Sequence, residues 1–180
     1  MQSVGTPRLV LEPQTVAHAA EMHPLLADPA LYRHENEPPP SVDWLRERFA
    51  RLESRRSGDG REEWLNWVLR LREGGALVGY VQATVRADGS ATIAYVLGSP
   101  HWGRGLATEA VRGMIDALAA HHGVHTLRAV LKRSNEPSLR LLQRLGFVPA
   151  TPEEEQRREV EPDERLLWRP VADAAGADRR

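Results

Sequence analysis

Residues 91–110, ATIAYVLGSPHWGRGLATEA, constrain the chain more than any other stretch. The stretch opens as an apolar run with β-branched and aromatic residues, which predicts a buried strand over 91–97. Gly98, Ser99 and Pro100 end it, because proline donates nothing to a sheet ladder and glycine accepts turn geometries. Gly103-Arg104-Gly105 follows. From Leu106 the spacing predicts a helix, with Val111, Met114, Ile115 and Leu118 on one face. A glycine-rich turn between a strand end and a helix start gathers unpaired N–H groups at the positive end of a helix dipole. Such a turn is an anion cradle suited to phosphate.

The flanking segments alternate between the two periods. A short strand over 8–11 is closed by Pro13, and Thr15 caps a helix to about residue 27, made irregular by Pro24. Residues 28–40 read as a loop, since Pro38, Pro39 and Pro40 cannot continue a helix. Ser41 caps a second helix with Leu45, Phe49 and Leu52 on its apolar face. Three strands in meander order follow, over 64–71, 76–86 and 91–97. Their turns are Glu73-Gly74-Gly75 and Ala87-Asp88-Gly89. The helix after the cradle stops at His121-His122-Gly123, and a strand covers 124–131. Asn135 caps the next helix, with Pro137 in its first turn, Leu141, Leu142 and Leu145 buried, and Gly146 as its stop. A strand begins at Phe147, a charged connector runs over 153–164, and a last strand covers 165–168.

Strands joined through the helix from Leu106 must lie parallel, and the others antiparallel. The expected fold class is therefore α/β: a mixed, mostly antiparallel central sheet of about six to seven strands flanked by four helices. A length of 180 residues fits one domain over 1–170, followed by a disordered tail over 171–180. Trp44, Trp64, Trp67 and Trp168 are expected in the core, with Trp64 also a candidate for lining a groove.

Composition excludes several function classes. A net charge of −1 gives no nucleic-acid footprint. Zero cysteines remove disulfides, thiolate metal sites and cysteine nucleophiles together. No leader or membrane-length apolar run is visible, so the expected location is the cytoplasm, with no membrane partner. His121, His122 and His125 sit where a helix C-terminus favours histidine, and no metal site is expected from them.

Three segments together resemble the GNAT superfamily of N-acetyltransferases, and within it the branch of ribosomal-protein N-terminal acetyltransferases. They are Thr6-Pro7-Arg8-Leu9-Val10-Leu11, the run from Tyr95 through the cradle to Ala110, and the run from Asn135 to Gly146-Phe147, in which Ser138 follows Asn135 by three. The resemblance covers about residues 6–168 and implies the acyl-CoA N-acyltransferase fold. It also implies acetyl-CoA as donor substrate, no metal, and a primary amine as acceptor, either a protein N-terminus or a small molecule. The backbone of Gly103, Arg104, Gly105, Leu106 and Ala107 would hold the pyrophosphate, flanked by Trp102 and Thr108. Tyr95, Val96 and Leu97, where the family has a bulge, would bind pantetheine and offer an oxyanion donor. Asn135 and Ser138 would line the other side. A homodimer is left open.

This chain departs from the family at Leu142, where many members carry a tyrosine general acid; Ser138, one helical turn earlier, is the substitute. A hydroxyl there would donate to the departing CoA thiolate, whose pKa is about 8.5. An α-amine with pKa about 8 needs on the order of 1 kcal/mol to be neutral at pH 7, against about 4–5 for a lysine. The base candidates are Glu35, Glu37 and His34 in the proline-rich loop and Glu62 and Glu63 before the first meander strand, with Glu35 taken as the catalytic one. Arg104 is a candidate for a phosphate contact or a plain loop arginine, and Arg133 and Arg140 are candidates for the 3′-phosphate. The same residues leave two other functions open. One is a non-catalytic acyl-CoA-binding module, and the other is an acetyltransferase that modifies antibiotics.

Overall fold

The structure, a computed structural model, describes residues 1–34 and 36–171. The chain begins with strands β1 (Val4–Gly5) and β2 (Leu9–Pro13), followed by helices α1 (Ala19–Leu26) and α2 (Val42–Glu53). Strands β3 (Glu62–Leu71), β4 (Leu77–Arg86) and β5 (Ser90–Leu97) form the meander. Helix α3 (Leu106–His122) crosses to β6 (Thr126–Lys132); then come α4 (Glu136–Arg144), β7 (Val148–Pro149), α5 (Pro152–Arg157) and β8 (Glu164–Pro170). One 8-stranded sheet contains every strand, in the order β1-β2-β3-β4-β5-β6-β8-β7. All neighbours are antiparallel except β5 and β6, the pair joined through α3.

The sheet has one strand more than expected because β1 is only two residues and carries no readable period, whereas the strand expected from Phe147 is β7. The fifth helix, α5, lies in the charged connector, whose acidic first turn hid no apolar stripe to betray it. Thr151 caps α5 by accepting from Glu154 N–H, while Glu154 accepts from Thr151 N–H at 2.9 Å. Pro13 does not close β2 but is its last residue, opposite Trp67. The helix expected from Thr15 starts as a 3₁₀ turn over Val16–His18 before α1. Of the tail expected to be disordered over 171–180, Val171 donates its N–H to His125 C=O at 2.9 Å, and 172–180 lie outside the described residues.

Each sheet face carries its own core. Leu9, Leu11, Trp67, Leu69, Ala91, Ile93, Leu127 and Ala129 point to one side. There they meet Val111, Met114, Ile115 and Leu118 of α3 and Leu141, Leu142 and Leu145 of α4. Val68 and Leu77 point to the other side, onto Met22 and Leu26 of α1 and Leu45 and Phe49 of α2. The period-2 alternation of the strands therefore feeds two layers of helices. Trp67 is buried as expected, but Trp44 is 40% exposed on α2, where Arg48 lies over its ring at 5.7 Å. Among the described residues no helix is long and apolar enough to cross a membrane.

The bulge expected in β5 is one strand over. β4 and β5 pair without interruption from Gly79–Leu97 to Val85–Ala91, whereas the β3–β4 register shifts between Leu69 and Arg70. The backbone of β5 then runs so close to β4 that a Cβ on Gly79 would meet Val96 O at 2.1 Å and Leu97 Cα at 3.0 Å. Both obstacles are main chain and neither can rotate away. Gly79→Ala should therefore destabilise the protein by about 2–3 kcal/mol. Urea unfolding should report the loss as a lower midpoint at unchanged slope. Gly58→Ala, with nothing within 4 Å of its Cβ position, is the matched control.

Candidate active site

The cradle forms as the sequence requires. After β5 the chain makes one 3₁₀ turn, Ser99–His101, and then the two glycines adopt φ of +72° at Gly103 and +75° at Gly105. A side chain is strained at such angles, and a Cβ on Gly103 would point into open space. Gly105 is the N-cap of α3, whose ladder begins with Glu109 N–H donating to Gly105 C=O. The N–H groups of Leu106, Ala107 and Thr108 precede that first rung at the positive end of a helix of 17 residues. Leu106 is buried, while Trp102, Gly103, Arg104 and Gly105 are exposed. The Trp102 indole N–H donates to Leu97 C=O at 2.6 Å, which pins the loop to the end of β5. Burial, aided by the nearby Arg104 charge, lowers the pKa of His101, so this imidazole stays neutral beside the cradle.

Sequence reasoning missed what holds this loop in shape. Arg8 Nη1 donates to Arg104 C=O at 2.8 Å, and Arg8 Nε donates to Glu109 Oε2 at 2.6 Å. The Arg8 backbone N–H and the Thr6 hydroxyl both donate to Glu109 Oε1, at 2.7 and 2.6 Å. The Arg104 carbonyl is thereby engaged by Arg8 and fixed relative to the N-terminal segment. The signal was present: Thr6 and Arg8 stand in one quoted segment and Glu109 in another. Nothing in a linear sequence couples positions 101 residues apart.

β5 and β6 pair only at Ser90–Thr126, Ala91–Leu127 and Thr92–Arg128. Beyond that point they part, and Tyr95 from β5 meets Ser138 from α4 across the gap. The two hydroxyl oxygens are 2.6 Å apart, and the Tyr95 oxygen is 3.4 Å from the Ser138 carbonyl oxygen. Asn135 acts as the helix cap, its Oδ1 accepting from Ser138 N–H at 3.2 Å. Burial raises the Tyr95 pKa to about 12, although the hydrogen bond with Ser138 works the other way. Leu142 is 1% exposed and part of the core.

Asp28 and His34 reach the same region from the α1–α2 side. Asp28 accepts from the Ser99 hydroxyl at the start of the cradle loop, and this bond, with the one from Ala30 N–H, lowers the Asp28 pKa. His34 Nδ1 lies 3.0 Å from Ser134 Oγ, one residue before Asn135. His34 is thereby brought beside the Ser138 helix start. Glu37 is exposed on the same loop, and Glu35 lies outside the described residues.

Other candidates are placed elsewhere. Glu63 pairs with His122 at 3.3 Å and Glu62 with Arg86 at 3.1 Å. His122 ends α3, so at 1.5 Å per residue Glu63 lies roughly 24 Å from the cradle. Trp64, next to Glu63, is at that far end too, opposite Thr84. Arg133 is tied to Glu155 at 2.9 Å and to Pro162 C=O at 3.1 Å, whereas Arg140 is 61% exposed on α4. His125 turns to Thr126 Oγ1 at 3.2 Å, away from His122. Among the described residues no three His, Cys, Asp or Glu side chains converge on a metal-sized site.

The Arg8–Glu109 clasp has a pH signature. Burial alone would raise the Glu109 pKa, but hydrogen bonds from Thr6 and Arg8 and the Arg8 charge outweigh it and hold it below the ordinary 4.5. A carboxylate depressed on folding contributes stability above its unfolded pKa and loses it as pH falls through the folded value. Glu109→Gln should therefore cost about 1–2 kcal/mol at pH 7 and progressively less below about pH 4.5. The difference in thermal midpoint between variant and parent, followed from pH 7 to 3, checks this. The released loop should also become a faster tryptic site at Arg104.

The description "acetyltransferase (GNAT) domain" matches residues 8–148 of the chain. An uncharacterized N-acetyltransferase p20 of Bacillus licheniformis is 40% identical over 60 residues, spanning 33% of this chain and 34% of that relative. Among solved structures, a putative GNAT-family acetyltransferase from Bordetella pertussis is 26% identical at a TM-score of 0.73, covering 94% of this chain and 99% of its own. RimL, a ribosomal L7/L12 α-N-protein acetyltransferase solved with coenzyme A, shares the fold at a TM-score of 0.80 and 13% identity, over 94% and 98% of the two chains. With a cradle between β5 and α3, a sheet opening beside it and a domain match over most of its length, the chain belongs to the GNAT acetyltransferase family.

Proposed function

We propose that this protein is an N-acetyltransferase that moves the acetyl group of acetyl-CoA to a primary amine by direct attack within a ternary complex. The observation that carries this reading is the cradle of Gly103 and Gly105 opening beside the gap between β5 and β6, with the Tyr95 and Ser138 hydroxyls meeting across that gap. The backbone N–H groups of Gly103, Arg104, Gly105, Leu106 and Ala107 would hold the pyrophosphate, with Trp102 and Thr108 flanking it. The strand edge of Tyr95, Val96 and Leu97 has lost its β6 partner, and it suits the amide groups of an extended pantetheine arm. RimL binds coenzyme A on the same fold.

Ser138, fixed at the start of α4 by Asn135, is the hydroxyl we assign to the departing thiolate. With zero cysteines present, no cysteine acyl-enzyme can form, which supports direct attack. A protein N-terminus is the favoured acceptor, because an α-amine loses its proton more readily than a lysine and asks less of a base. Glu35 remains our candidate base on the 28–40 loop, with His34 as its neighbour. Arg104 is our candidate for a phosphate contact and Arg140, 61% exposed with Glu136 at 3.8 Å, for the 3′-phosphate; Arg133 is already engaged. A cytoplasmic location accords with this donor.

Calorimetric titration with acetyl-CoA and a thiol-release assay with peptides bearing free N-termini test the reading. Gly105→Asp adds a strained side chain and a negative charge to the cradle, and should weaken acetyl-CoA binding at least about tenfold. Unchanged affinity would mean that the donor binds elsewhere. Ser138→Ala should lower kcat on the order of tenfold or more while the donor's Kd moves little. Tight binding without thiol release for any amine would identify a binding module instead.

A further inference from the structure

Tyr95 supplies what Leu142 cannot, from a different element. We propose that the Tyr95 hydroxyl, reaching across the gap from β5, donates to Ser138 Oγ and so aims the Ser138 hydrogen at the sulfur of the bound donor. Tyr95 is thus a positioning residue that acts through Ser138. This inference rests on the acetyl-CoA reading above and goes beyond it in assigning the polarity of the hydroxyl pair.

Acidity sets the polarity we infer, since the 2.6 Å separation lets either oxygen donate and the Ser138 carbonyl, at 3.4 Å, is only a weaker second acceptor for the phenol. The two oxygens, at 2.6 Å, share one hydrogen, and each hydroxyl has only one to give. A phenol is far more acidic than an alkyl alcohol and its oxygen is the poorer acceptor, so the phenol donates. Ser138 then accepts from Tyr95, and its own hydrogen is left to point elsewhere. Its backbone N–H is already committed to Asn135 Oδ1, so the hydroxyl is the group with a free donor. Burial keeps the phenol protonated, with its pKa pushed up to about 12, so the pair holds this arrangement across the working pH range. A chain of two hydroxyls also polarises the terminal one, which strengthens its bond to an anion.

The step balances without moving a proton through the pair. The amine nitrogen bonds to the acetyl carbon, the C–S bond breaks, and its electron pair stays on sulfur. Nitrogen loses one proton to solvent and sulfur later gains one from it. In between, the two hydroxyls stabilise the thiolate and keep their own protons.

The test needs no acceptor. The thiol of bound coenzyme A is titrated by its thiolate absorbance near 240 nm, with the complex of the desulfo analogue as baseline to remove the tyrosines. In the parent protein the bound thiol should titrate below the free one. In Tyr95→Phe, which keeps the ring in place, it should rise by about half to one unit. Ser138→Ala should raise it at least as far, and adding Tyr95→Phe to Ser138→Ala should change nothing more. Ser138→Thr, which retains a hydroxyl, should keep the low value. A bound-thiol pKa in Tyr95→Phe equal to the parent's overturns the inference, and so does a further rise in the double variant, because Tyr95 would then act on sulfur independently. Should Tyr95→Phe not fold, protein labelled with fluorotyrosine, whose phenol donates more strongly, must show a lower bound-thiol pKa; an unchanged or higher one refutes the relay. A folded parent that binds no coenzyme A overturns the donor reading instead, so the two failures are distinguishable.

Discussion

Three residue pairs hold β5 to β6, and then the two strands separate. Most of what makes this fold useful depends on that short ladder. On their other edges both strands are fully paired: β5 with β4 from Gly79–Leu97 to Val85–Ala91, and β6 with β8 over its whole length. The gap is therefore a break inside a sheet whose halves are each held rigid, and not a frayed edge. Backbone groups of β5 that face the gap have lost a strand partner, and an unpaired N–H in a partly buried place needs another acceptor. Parallel pairing across the break needs a long connection. That connection is α3, and so a helix N-terminus comes to stand beside the opening.

Around that opening the elements are cross-tied by polar contacts. The N-terminal segment grips the cradle through Arg8 and Glu109, the α1–α2 loop reaches the cradle through Asp28 and Ser99, and the same loop reaches the start of α4 through His34 and Ser134. The two sheet halves, which share little main-chain bonding here, are joined again through the Tyr95 and Ser138 hydroxyls. Each tie links segments far apart in sequence, so the site's geometry is a property of the closed fold. Loops anchored at both ends lose little further freedom when a ligand binds, and that pre-organisation saves binding free energy.

Local rules made much of the chain legible. The switch from period 2 to period 3.6 at residues 97–106 located the cradle, Ser41 and Asn135 were read as caps, and both are. Such signals are local, because a cap bonds within three residues and a left-handed glycine needs only its own φ. Glu62, Glu63 and Trp64 were grouped with the acceptor side for want of a register. Only the pairing of β3 with β4 and β5 shows that they occupy the opposite end of the sheet, beside His122. Trp44 was expected in the core by residue type, but α2 turns that face outward to Arg48.

By itself, then, the sequence determined most element types, the glycine turn between β5 and α3 and the family, since these follow from backbone conformation and short-range spacing. Tertiary structure decided which side chains meet. The clasp of Arg8 on Glu109 and Arg104, the tie of Arg133 to Glu155, and the meeting of Tyr95 with Ser138 all depend on strand register and on where β5 and β6 part. Register is set by the summed packing of two cores and not by any one segment, so contacts between distant residues become visible only once the sheet is assembled.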